Sequence, residues 1–346
     1  MTPWPVTPPS AADRAAYEDA EPRAFWMAAA RPEDAQPPLI GSVEADLCIV
    51  GGGFTGLWAA LHAKADDPAR DVVVLEAETA GFGASGRNGG FAIASLTHGL
   101  SNGLARFEDE MPALERLALE NFEGMKADLA QHGIDCDFEE TGDLAVALEP
   151  HEEAWLEEEA ELLRRFGHEV DVLDGPATRR EVNSPTYRGG LWGRTGSAIL
   201  DPGKLAAGLR SAALRQGVRI HEHTAAADLD AQTGSIVVIT PQGRVRARSV
   251  LLATSAFPPL LRSMRRYIVP VYDYALMTEP LSPAQRASVG WEHRQGVGDM
   301  GNQFHYYRPT TDGRILFGGY DAIYRFRGPV APRLDEHDAS FGMLSQ

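Results

Sequence analysis

The sequence predicts an α/β fold in two parts, a parallel-sheet unit wound around a glycine turn and an antiparallel, β-rich unit beside it. Three stretches predict it: a strand, glycine turn, helix and strand over residues 46–75, a second glycine-rich loop over 81–90, and an aromatic, β-branched region from Tyr267 to about Val330. At 346 residues, 44% hydrophobic and 23% charged, the chain is long enough for two domains, or for one large domain with an insertion.

Asp46, Leu47, Cys48, Ile49 and Val50 form a short apolar run, as a strand covered on both faces requires. Gly51, Gly52, Gly53, Phe54, Thr55 and Gly56 follow and fit G-x-G-x-x-G at Gly51, Gly53 and Gly56. The three glycines serve different mechanical ends, namely a tight turn, close approach of a pyrophosphate, and close packing of helix on strand. Phe54 to about Ala65 has helix-forming composition, and the amides at its start point at phosphates. A second strand, Asp71 to Leu75, closes on Glu76, 20 residues beyond Gly56, where an acid accepts hydrogen bonds from an adenosine ribose. Strand, turn, helix, strand and acid together describe a Rossmann-like dinucleotide-binding unit. The loop after it, from Gly81 to Gly90, is built of small residues that let backbone amides approach a flat or charged ligand.

The unit from Gly51 to Glu76, followed by Gly83, Ala84, Ser85, Gly86, Arg87, Asn88, Gly89 and Gly90, resembles the FAD-dependent oxidoreductases of the D-amino-acid oxidase superfamily. Within that superfamily it looks most like the γ-glutamylputrescine oxidoreductase type, and the likeness runs on from about Phe25 through most of the chain. The resemblance implies FAD, with Glu76 and Ala77 at the ribose. It places Gly83, Ala84, Ser85, Arg87, Asn88, Gly89 and Gly90 beside pyrophosphate and flavin. It also implies backbone contacts to adenine at Ala226 and Ala227, and a turn at Ala253 and Thr254 where Ser255 stands in place of the family's usual glycine. Sarcosine-oxidase-like relatives attach flavin through Cys or His. Arg87, Asn88 and Gly89 occupy the stretch where that His would stand, so non-covalent FAD is expected.

Downstream, Met111 to His132 reads as a helix, with Pro112 near its start and Gly133 past its end. Strands are expected at Leu144 to Leu148 and near Gly190 to Trp192. Glu152 to Arg165 between them is helical, with Glu157, Glu158 and Glu159 on a solvated face and no metal site. Asp201 caps a helix that starts at Pro202 and ends by Gly217. Val218 to His221 then reads as a strand, Ile236 to Thr240 and Arg244 to Arg248 as a hairpin, and Val250 to Ala253 as a buried strand. In the resembling family this is the meander of the FAD domain. The expected division is an extended arm over 1–45, tethered by Tyr17, Phe25 and Trp26, an FAD-binding domain over 46–135 and 200–262, and a substrate domain over 136–199 and 263–346. Family members run on and return to the FAD domain with a late glycine-rich segment; this chain ends at Gln346, with Leu334 to Gln346 helical in character. On that resemblance the isoalloxazine site of this chain is expected to be open on one side.

In the β-rich region, alternation puts Phe304, Tyr306 and Arg308 on one face and His305 and Tyr307 on the other. Arg308 beside tyrosines is a candidate grip for a substrate carboxylate or an arginine stacked on aromatic rings. His305 is a candidate base or a structural histidine. The net charge of −17 argues against nucleic acid and against an anionic membrane as partner. Two cysteines give no disulfide framework or metal cluster. No run reaches membrane-span length and no apolar leader is evident, so a cytoplasmic location is expected. With no second G-x-G-x-x-G, electrons leave through oxygen or another diffusible acceptor. The favoured activity is oxidation of the C–N bond of a small-molecule amine or amino acid to an imine. An NAD-dependent dehydrogenase and a non-catalytic flavin-binding protein are the alternatives, and oligomeric state is not legible.

Overall fold

A computed structural model describes residues 8–29, 35–301, 304–319 and 322–346. Val72–Leu75 reads Val-Val-Val-Leu with all four side chains buried, which requires cover on both faces. It lies inside a six-stranded sheet ordered Arg219–His221, Val72–Leu75, Gly41–Val50, Gly243–Leu252, Ser235–Ile239, Asp228–Gln232. The first four strands run parallel, and Gly243–Leu252 also begins the antiparallel meander formed with the last two. Strand alternation divides the core. Ile49, Val72 and Val74 pack against the helices Phe54–Asp66 and Pro202–Arg215, while Cys48, Val50, Val73 and Leu75 meet Val238, Val245 and Ala247 of the meander. Cys48 and Cys136 are buried free thiols, each pushed up to about 12 by burial.

The meander departs from the sequence reading in two ways. Arg244 to Leu252 runs in one continuous strand, because Gly243–Leu252 pairs along its length with Gly41–Val50, and the polar Arg-Ala-Arg-Ser run keeps its arginines outward. Arg248 then meets Asp46 across the strands. The strand Asp228–Gln232, polar and mostly exposed, lies at the sheet edge and gave no apolar signal.

The second sheet has seven strands in the order Ala275–Met277, Ile315–Gly319, His305–Pro309, Gly296–Asp299, Asp143–Ala147, Gly189–Gly193, Val170–Asp174. It is antiparallel except where Gly296–Asp299 runs parallel to Asp143–Ala147. Among the described residues no helix is long and apolar enough to cross a membrane.

Helix Met111–His132 ends as its punctuation predicts, with Gly133 left-handed at φ 62°. Gly124, exposed in its interior, has nothing within 4 Å of where a Cβ would stand. Gly124→Ala is expected to stabilise the protein by about 0.5–1 kcal/mol, seen as a higher urea midpoint at unchanged slope.

The described part of the N-terminal segment is more ordered than its prolines suggest; Pro3 and Pro5 fall outside the described residues. Ala11–Ala15 is a short helix closed by a capping box between Ser10 and Asp13, and Phe25–Ala29 is a second. Two of the three expected tethers anchor it on the body side: Trp26 is buried, and Arg314 stands over the Phe25 ring at 5.3 Å. Tyr17 meets Phe341 edge-on at 6.4 Å, in the helix Asp338–Leu344.

Candidate flavin site

The strand Gly41–Val50 delivers the chain into the first glycine turn. Gly51 has φ 113°, a conformation closed to other residues, and a Cβ there would strike the carbonyl of Ala253. A Cβ at Gly56 would strike the carbonyl of Gly51, and one at Gly53 would stand 2.9 Å from the Ser85 hydroxyl. Gly51 and Gly56 are thus required by backbone packing in this turn, while Gly53 leaves room for the Ser85 hydroxyl.

Glu76, at the end of Val72–Leu75, turns back onto it. One carboxylate oxygen accepts from the Gly52 amide at 2.7 Å and the other from the Glu78 amide at 2.9 Å. Burial raises its pKa most, with the Glu222 and Glu78 carboxylates acting in the same direction and the two amides opposing. The next carbonyls bind the segment 221–224: His223 donates to Glu78 O at 2.8 Å and Thr224 to Glu76 O at 2.7 Å. Ala77 is exposed beside this crossing.

The second glycine loop closes over the first. The Ser85 hydroxyl accepts from the Phe54 amide at 2.9 Å, so the helix start and the loop are joined by one hydrogen bond. Asn88 folds back on its own loop, donating to Ala84 O and Ser85 O and accepting from the Gly90 amide. Arg87 donates to Phe82 O at 2.7 Å and lies over the Phe82 ring. A Cβ at Gly83 would press on Phe257, 3.1 Å away, and one at Gly89 on Tyr306, 2.8 Å away. Gly90 has φ 74° and lies against Leu200 O.

Ala226 packs against the meander core, and the Ala227 amide donates to Ile239 O at 2.8 Å, so that amide is spent on the sheet. Ala253 donates to Val50 O and Thr254 O accepts from Phe257 N. Ser255 has φ 49°, the conformation a glycine would take without strain.

Tyr306 and Arg308 share the sheet face that meets the second glycine loop, and His305 and Tyr307 face away, as alternation predicts. Tyr306 meets Phe91 edge-on at 5.9 Å and donates to Asp273 at 2.8 Å; burial raises its pKa and the Asp273 carboxylate adds to this. Arg308 is 3% exposed, and its Nη1 donates to Gly90 O at 3.0 Å and Leu200 O at 2.8 Å. Its guanidinium stands 4.9 Å from the Trp26 ring, and burial pulls it down to about 10. Trp26 in turn donates to Asn88 O at 3.0 Å. Beyond Arg308 lies a cavity of ≈ 160 Å³ whose cations are paired, Lys204 with Asp137 and Arg294 with Glu139. The structure does not bring His305 to this group. Its Nδ1 is 2.6 Å from Asp299 and its ring stacks on Phe317, on the far side of the sheet.

One feature escaped the sequence. Glu222, fully buried, accepts from Arg210 at 2.8 Å, Ala80 N at 2.8 Å and Gln36 N at 2.6 Å. It ties the N-terminal segment, the start of the second glycine loop and helix Pro202–Arg215 into one unit. Its only signal was a charged residue at the end of an apolar strand.

A dinucleotide fits the residues present. Among the described residues the amides of Gly53, Thr55 and Gly56 have no protein acceptor, the glycines leave a cradle no side chain could share, and an acid stands at the second strand's end. Fold and site together define a dinucleotide-binding protein of α/β class. The family described as FAD dependent oxidoreductase matches residues 46–344, and the chain belongs to it. It is 35% identical over 307 residues to the γ-glutamylputrescine oxidoreductase of Escherichia coli, covering 85% of this chain and 70% of that one. It is 33% identical over 290 residues to a probable oxidoreductase, OrdL, of Haemophilus influenzae, covering 82% and 66%. The fold is similar to that of glycine oxidase from Geobacillus kaustophilus, at a TM-score of 0.66 and 23% identity over 84% of this chain and 75% of that one. It is similar also to that of L-proline dehydrogenase from P. horikoshii, at 0.64 and 19% over 82% and 72%. The protein is an FAD-dependent oxidoreductase.

Proposed function

We propose that the protein oxidises the C–N bond of a small-molecule amine whose reacting carbon carries no carboxylate, with FAD held non-covalently and oxygen or another diffusible acceptor completing the turnover. In this reading residues 46–135 and 200–262 hold FAD, and 136–199 and 263–346 hold the substrate. Arg308 carries the argument on substrate class. A carboxylate grip needs an open guanidinium fork, whereas this group is 3% exposed, its Nη1 is held by two backbone carbonyls and its plane stands over Trp26. Arg308 is a positioning residue that clamps the second glycine loop to the substrate sheet. The likeness to γ-glutamylputrescine oxidoreductase supports an amine substrate, as does an exposed acid, Asp273, on the same aromatic wall as Tyr306 and Phe91.

FAD, when bound, supplies the two-electron acceptor for the hydride equivalent leaving the carbon beside the amine nitrogen. The chain's own residues cradle the phosphates with the amides of Gly53, Thr55 and Gly56, take the ribose hydroxyls on Glu76, and set the substrate against Tyr306 and Phe91. The imine product then hydrolyses in water.

The test is anaerobic mixing of the FAD-loaded protein with γ-glutamylputrescine, putrescine, sarcosine and D-amino acids, following loss of the flavin's visible absorption. Bleaching by the amines lacking a neighbouring carboxylate is expected; bleaching by amino acids alone would overturn the reading. Arg308→Lys is expected to lower kcat/KM for every amine by a similar factor. A carboxylate grip would instead raise KM for carboxylate-bearing substrates only, by roughly 30–100-fold.

A further inference from the structure

The packing around Tyr306 fixes which way its hydroxyl points. In the second sheet Tyr306 pairs with Gly318, and Gly318 with Ala275 on the next strand. Having no side chain, Gly318 lets the Tyr306 ring lie across its strand and reach Asp273, two residues before Ala275. A Cβ at Gly318 would stand 2.8 Å from both Cζ and Oη of the phenol, and one at Gly89 would stand 2.8 Å from Cε2. Phe91 meets the ring edge-on at 5.9 Å, and Phe304 lies tilted against it at 6.4 Å. Two glycines and two aromatic neighbours thus leave the ring little freedom to move.

The hydroxyl donates to Asp273 Oδ2 at 2.8 Å. Burial and the neighbouring carboxylate both keep the phenol protonated. With its one proton committed to Asp273, the oxygen has only lone pairs left for a substrate. Such a group accepts from an N–H and repels a second carboxylate, the more so with the charge of Asp273 behind it. The cation two positions along the same face, Arg308, is buried and clamps Gly90 O and Leu200 O.

Building on the amine reading above, we propose that Asp273 is a positioning residue that sets the substrate class through Tyr306. It makes the phenol an acceptor for the substrate's N–H and excludes a carboxylate from the reacting carbon.

The test uses two inert probes, tert-butylamine and 2-aminoisobutyrate. Neither carries a hydrogen on the carbon beside nitrogen, so neither can be oxidised, and they differ by one methyl exchanged for a carboxylate. Binding to the FAD-loaded protein is read as a perturbation of the flavin's visible band. The parent is expected to bind tert-butylamine about tenfold or more tighter than 2-aminoisobutyrate. Asp273→Asn should shrink that preference to about threefold or less, since an amide can turn its N–H to the phenol oxygen and leave the phenol proton to the substrate. Asp273→Glu should restore much of it. Gly318→Ala, which presses on the phenol with Asp273 intact, should narrow the preference as well. Circular dichroism and flavin content unchanged from the parent show that the variants fold. A parent that prefers 2-aminoisobutyrate would overturn the amine reading and this inference together. The expected preference in the parent, kept in full by Asp273→Asn, would overturn this inference alone.

Discussion

Glu222→Ala is expected to destabilise the protein by about 3–5 kcal/mol and to lower its melting temperature by roughly 5–10 °C. The carboxylate is fully buried with four hydrogen-bond donors around it: two nitrogens of Arg210 and the amides of Ala80 and Gln36. Removing it leaves a buried guanidinium without its anion and two amides without an acceptor. Replacing both partners, Glu222→Leu with Arg210→Met, is expected to restore much of the loss, since the pair's value lies in mutual compensation rather than in net attraction. Burial alone pushes this carboxyl up, but Arg210 and the two amides outweigh it, so Glu222 sits below the ordinary range. A depressed folded pKa contributes stability that is complete above the unfolded value, about 4.3 for a glutamate, and drains away as pH falls below it. Melting curves of the parent and of Glu222→Gln should thus lie well apart near neutrality and converge in acid. Curves separated equally at all pH values would contradict this assignment.

Gly56→Ala is expected to reduce FAD affinity by about 100-fold or more, equivalent to roughly 3 kcal/mol. The added methyl would meet Gly51 O and stand 3.2 Å from Ile49 Cγ2. Neither can yield, because Gly51 is held by the hydrogen bond its N–H donates to Leu75 O and Ile49 lies fully buried in the core. The helix start must shift, carrying the free amides away from the phosphate position. Flavin content of the purified protein and fluorescence titration of the FAD-free form measure the effect, with Gly124→Ala as the control that keeps full flavin. A Gly56→Ala protein that purifies with a full complement of FAD would show that the turn is not where the dinucleotide lies.

Why some of this was legible and some not follows from the range of the interactions involved. The helix Met111–His132 carries its own start and stop, Pro112 and Gly133, and Val72–Leu75 announces burial on both faces by composition alone. The glycine turn was readable because its constraints are local: backbone meets backbone within a few residues. Alternation also sorted Tyr306 and Arg308 from His305, yet a strand read alone does not say which neighbour its face will meet, and Gly90 lies 218 residues from Arg308. Glu222 escaped for the same reason, its donors coming from three separate segments. The parallel pairing of Gly296–Asp299 with Asp143–Ala147 has no local signature either. In the N-terminal segment the prolines masked a capping box that needs only Ser10 and Asp13.

The two cysteines offer a built-in gauge of how the first sheet comes apart. Cys48 lies in the core that includes Val238, Val245 and Ala247 of the sheet's meander strands, and Cys136 lies in the core on the helix-covered side. Neither thiol can be reached by a reagent without local opening, and neither ionises readily where it sits. Time-resolved alkylation with mass-spectrometric readout would therefore clock each layer separately, without any introduced probe, and the ratio of the two rates would tell which layer loosens first.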